Sequence, residues 1–184
     1  MSTNTLSRSL HDVGLAAWFG GTLANATALN PAAAEADSAQ GTGAVANVGW
    51  DRWTPVNAAA IAAHLVGSIG MLASDAGRVS AQKGAGRTVV LKTGLTVAAL
   101  GVTAYSRALG KRVSQQTAVP AESGTEPSAH TPSDVAAAQR QLKLLQWAVP
   151  ALTGALVVLS AQAGEEQRPA TLLEGVTAKF PGLA

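Results

Sequence analysis

Two histidines and a lysine stand where the surrounding residues are apolar, and they are the side chains with most chemistry to offer. His64 lies near the middle of an uncharged run, Trp53–Ser74; His11 heads an earlier run, and Lys92 sits about one turn inside a later one. An imidazole or ammonium is costly to bury in hydrocarbon, so such residues mark ion or proton paths by default. For His64 a second reading stands beside that one: a neutral ring bonded to a nearby carbonyl, or to Asn25 or Asn57. Asp75 closes the His64 run. With Asp12, Glu165 and Glu166 it offers carboxylates to Lys92, whose other course is to snorkel to the headgroups. The histidines share a pattern, His-x-Val-Gly, at His11–Gly14 and His64–Gly67. Two imidazoles on neighbouring helices could ligate a haem or copper. Counting from the expected helix ends sets His64 roughly 16 Å deeper than His11 at 1.5 Å per residue, so no shared ion is expected.

Other chemistries find no residues to carry them. There is no Ser-His-Asp spacing, Walker loop, His-Glu-x-x-His or paired intramembrane carboxylate, and Gly20-Gly21 and Gly84-Ala85-Gly86 lack the context of a phosphate cradle. The absence of cysteine removes thiolate ligands and a Cys nucleophile. No catalytic residue, metal set or cofactor is therefore expected, and the chain does not read as an enzyme. A net charge of +2, spread without a basic block or interleaved aromatics, gives nucleic acid nothing to bind.

The elements that must position these side chains are apolar helices. Uncharged runs occur at Val13–Ala34, Trp53–Ser74 and Leu144–Gly164, with a shorter one at Thr93–Ser106 bracketed by Lys92 and Arg107. Crossing a hydrocarbon core about 30 Å thick takes roughly 20 residues of helix. In this 184-residue chain 47% of residues are hydrophobic and only 13% charged, where about 25% charged is usual for a soluble domain. The mean hydropathy is only +0.20 because Ala, Gly, Thr and Ser fill the runs. A water-soluble bundle would repeat polar faces about every 3.6 residues, and Trp53–Ser74 has none. The expected fold is an all-α, four-transmembrane-helix bundle with spans near residues 11–30, 54–75, 88–108 and 144–164.

Local signals set the expected boundaries. The first helix starts near His11 and stops at Asn30-Pro31; Ala32–Trp50 reads as a solvated, mildly acidic connector; Thr54 caps the second helix with Pro55 in its first turn. Arg8 ahead of the first run and Ala26-Thr27-Ala28 also have the form of a cleaved signal peptide, but Trp18-Phe19-Gly20-Gly21 reads as a packing surface. Residues 115–132, rich in Pro, Ser, Thr, Gly and Glu, read as a disordered or draped loop. Asp134–Gly164 is helix-compatible throughout, its first turns projecting into solvent and Pro150 kinking it. The tail Ala170–Phe180 reads as a short amphipathic interfacial helix or as a frayed end.

Arg78, Lys83 and Arg87 place the linker between helices two and three, and with it both termini, on the cytoplasmic side of the cell membrane, although Arg107, Lys111 and Arg112 oppose this. Trp50, Trp53, Tyr105 and Trp147 fall at span ends on one side, as a headgroup belt requires. Small residues four apart, among them Ala17 and Gly21, Gly20 and Ala24, Ala63 and Gly67, Gly94 and Ala98, predict close helix packing with little interior room.

The segments Asp12–Asn30, Arg52–Leu72 and Gln146–Pro169 are similar to a family of uncharacterised small multi-pass membrane proteins of high-GC bacteria, which implies the four-helix architecture and no activity. His11 followed by Trp18-Phe19-Gly20-Gly21 also resembles four-helix copper-resistance (CopD-like) membrane domains. The leading functional expectation is a non-enzymatic accessory or scaffold bundle whose partners are the lipid bilayer and other membrane subunits or a second copy. The alternatives are a small proton-linked carrier using His64 and Lys92, and a haem or metal protein.

Overall fold

A computed structural model describes residues 3–81, 85–115 and 119–165. Helix α1 (Thr3–Ala24) passes through a π-helical turn at Asn25–Leu29 into the short α2 (Asn30–Ala33). Two long helices follow, α3 (Ala39–Ala81) and α4 (Ala85–Ser114), then strands β1 (Ala121–Ser123) and β2 (Glu126–Pro127), and finally α5 (Ser133–Glu165). The expected tail helix at Ala170–Phe180, and Glu166, lie outside the described residues.

The all-α class holds, with three helices, α3, α4 and α5, long and apolar enough to cross a membrane. These are compatible with an integral membrane protein. The apolar faces they turn outward, Ile69 (67% exposed), Val97 (63%) and Val158 among them, suit lipid better than water. In α4 only 6% of the apolar window is buried inside the protein. Helix α1, carrying Arg8, His11 and Asp12, falls outside that set.

Packing runs α3 on α1, α1 on α5 and α5 on α4, while α3 and α4 touch sparsely. Each long helix sends one residue to the centre: Trp18, Ala60, Ala99 and Val149. The α1–α3 contact is backbone on backbone. A Cβ on Gly14 would lie 2.5 Å from both Ala60 O and His64 N, and one on Gly67 would collide with His11 N and Ser7 O. The two His-x-Val-Gly motifs therefore pair antiparallel, each glycine receiving the other motif's histidine backbone. Such approach through small residues is how helices gain contact where lipid supplies no hydrophobic drive. Gly20 and Gly94, expected in similar grooves, have nothing against them.

Several expected boundaries are corrected. Helix α1 starts at Thr3, eight residues before His11, and Asn30-Pro31 does not stop the chain, because Pro31 sits in the first turn of α2, where its missing N–H is harmless. Most of the supposed connector Ala32–Trp50 is helix. Ser38 Oγ accepts from Gly41 N at 3.1 Å, an N-cap that launches α3, so Thr54 is no cap, its hydroxyl donating instead to Trp50 O at 2.8 Å. Pro55 lies inside a helix of 43 residues, about 65 Å long at 1.5 Å per residue, roughly twice the 30 Å of a hydrocarbon core.

The first turns of α3 carry a folded cap that corrects the disordered reading for residues 119–132. Among the described residues of that stretch, β1 and β2 form an antiparallel hairpin. Gly43 lets the Val119 backbone approach α3, Gly124 N donates to Asn30 O at 3.2 Å, and Glu126 pairs with Lys143. Val119 joins Leu109, Val113, Val135 and Ala138 in a second apolar core. The start of α5, expected to project, is buried here at Val135, Ala136, Ala138 and Gln139. Asn30 ties the cap to the bundle, its Nδ2 donating to Gln146 Oε1 at 2.8 Å and its Oδ1 accepting from Trp50 Nε1 at 3.0 Å.

Candidate functional site

The α1–α3 pairing brings together groups that residue counting kept apart. His11 and His64 face each other with ring centroids 4.6 Å apart, and both are almost wholly enclosed, 2% and 1% exposed. The expected 16 Å offset in depth is corrected. It assumed that His11 opened its helix, whereas Gly67 is the residue beside His11, three positions from His64.

Hydrogen-bond chemistry fixes the tautomers. Asp12 Oδ1 lies 2.7 Å from His11 Nδ1, and a carboxylate can only accept, so Nδ1 carries the proton. His11 Nε2 is then an acceptor, and Lys92 Nζ donates to it from 3.3 Å. Lys92 thus turns to a histidine and reaches the Asp12 carboxylate through the imidazole, where snorkelling or a direct ion pair was expected. On His64, Nδ1 donates to His11 O at 3.4 Å, which leaves Nε2 a bare acceptor without a partner in a buried position. Trp18 covers the ring with centroids 6.1 Å apart.

A cleft of about 250 Å³ opens onto this cluster between α3 and α4. His11, His64, Asp75 and Lys92 line it together with Ser68 and Thr96, and apolar side chains make up most of its wall. All four singled-out residues thus border one space. Room exists here because the sparse α3–α4 contact leaves the bundle open on that side, contrary to the close-packed interior expected from the small residues.

Chemically, the line Asp12, His11, Lys92 is a carboxylate and an ammonium bridged by one neutral imidazole. Moving a proton from Nζ to Nε2 while Nδ1 releases its own to Asp12 would convert the row without moving a heavy atom. Among the described residues no cluster of three or more His, Cys, Asp or Glu could hold a metal ion. The second cavity, farther along the α3–α4 gap near Trp50, Trp53 and Asn57, was missed in the sequence. No family model, curated protein or solved structure matches this chain.

Proposed function

We propose that this chain is a small proton-linked membrane carrier in which His11, with His64 beside it, relays protons between Asp12 and Lys92 at the floor of the α3–α4 cleft. One observation carries the reading: a neutral imidazole held between a carboxylate and an ammonium, bordering an opening in a helical bundle. Four crossings, α1 included, and both termini on the cytoplasmic side complete the arrangement. The antiparallel register of α1 along α3 supports the fourth crossing.

Reconstitution tests the reading. Liposomes carrying the protein and an internal pH-sensitive dye should take up protons under an imposed membrane potential, and Lys92→Met or His11→Phe should cut the rate at least tenfold. Uptake no faster than in protein-free liposomes would refute the relay.

The sparse α3–α4 contact favours a second reading, an accessory subunit whose open side receives a partner helix. Co-purification of a stoichiometric partner in mild detergent, lost when Val97 is changed to Lys, would select it.

A further inference from the structure

The second cavity encloses about 330 Å³ between α3 and α4, at the end of the bundle near the cap. Four of the residues that line it carry a buried polar atom with no hydrogen-bond partner: Asn57 Oδ1 and Trp53 Nε1 from α3, Thr103 Oγ1 and Ser106 Oγ from α4. Asn57 is only 9% exposed. Leaving buried donors and acceptors unpaired is costly, and native proteins seldom do so without an occupant. Here the residues that carry an acceptor, a donor and two hydroxyls, from two helices, line the same space.

We infer that this cavity binds the glycerol-ester region of a membrane phospholipid, with an acyl chain lying along the α3–α4 gap. The level of the cavity and the polar residues that line it point to this occupant. Trp50 and Trp53 line the cavity, and such rings sit where ester groups lie, at the headgroup boundary. Ester oxygens accept from Trp53 Nε1, Thr103 and Ser106, while a headgroup or glycerol hydroxyl donates to Asn57 Oδ1. Arg107, half-buried at the rim and paired with Asp51 at 3.2 Å, adds a cation within reach of a phosphate. Leu100 lines both this cavity and the cleft at His64, so the gap continues toward the bilayer centre as an apolar channel for a tail.

The tryptophans supply the readout. The full chain, freed of phospholipid in a mild detergent, is titrated with phosphatidylglycerol carrying a brominated acyl chain, which quenches indole fluorescence on contact. Saturable quenching at one lipid per chain is expected. Thr103→Val with Ser106→Ala, a near-isosteric pair that should fold, is expected to weaken it at least tenfold, and Asn57→Leu more. Four results would overturn the inference: no saturation above the micelle background, equal affinity in the double variant, equal quenching by a brominated alkane lacking the ester, or a dimer whose dissociation tracks Asn57→Leu. None of the polar residues invoked for the lipid belongs to the histidine cluster, so proton uptake that survives Asn57→Leu leaves each proposal to its own assay.

Discussion

Replacing Gly67 by alanine is the sharpest probe of how the two histidines are brought together. The added methyl would press on His11 N and on Ser7 O, both backbone atoms that no rotamer change can move aside. Restoring ordinary contact near 3.4 Å means separating α1 from α3 by about 1 Å, which loosens packing around Leu15 and Trp18, both nearly inaccessible. Overpacking of this kind costs typically 1–3 kcal/mol, and backbone clashes belong at the upper end. Alanine gains about 1 kcal/mol over glycine in a helix interior. The net expectation is a loss of about 1–2 kcal/mol, a factor of roughly 5–30 in the folded-to-unfolded ratio. Gly94→Ala is the matched control, because nothing lies within 4 Å of its would-be Cβ, and only the gain of about 1 kcal/mol should remain. Reversible unfolding in mixed micelles, followed by helicity, measures both, and the two variants should differ by about 2–3 kcal/mol. Equal stabilities would refute the close backbone approach, and with it the placement of His11 against His64.

Other consequences follow from particular contacts. Asn30→Ala strands Trp50 Nε1 and Gln146 Oε1, each worth about 1–3 kcal/mol when left unpaired, so the cap should loosen first, seen as faster amide exchange across β1 and β2 than in α1. Trp18→Ala empties the centre shared by four helices and should cost about 3–5 kcal/mol in the same unfolding assay. Asp51→Asn breaks an exposed pair with Arg107 and should cost less than about 1 kcal/mol, with a salt dependence smaller than that of the wild type.

The apolar runs were legible because lipid-length stretches without charge need no tertiary information, and His11, His64, Lys92 and Asp75 stood out against them by type alone. Their meeting was not legible. It depends on the register of α1 against α3, which Gly14 and Gly67 set; the shared His-x-Val-Gly pattern was the visible trace of that pairing, but helix ends drawn at His11 and Thr54 hid its depth. Ser38, a good N-cap, was the signal for the early start of α3, masked by the Gly and acidic residues around it. The hairpin at Ala121–Pro127 has no apolar pattern of its own. It is held by Asn30, Gly43 and Lys143, distant residues that no local window contains. The orphaned polar atoms of the second cavity likewise come from residues of two helices 46 to 53 positions apart in sequence, each unremarkable alone.

A membrane carrier built this way needs lipid against the outward faces of α3, α4 and α5. The native chain has no cysteine, so single replacements at Ile69, Val97, Val158 and the exposed Glu122 report cleanly in broken membranes open on both sides. A charged maleimide should label the Glu122→Cys protein readily and the other three only after detergent is added. Equal labelling at Val97 and Glu122 in the membrane, or a folded protein that stays dispersed in buffer without amphiphile, would contradict it.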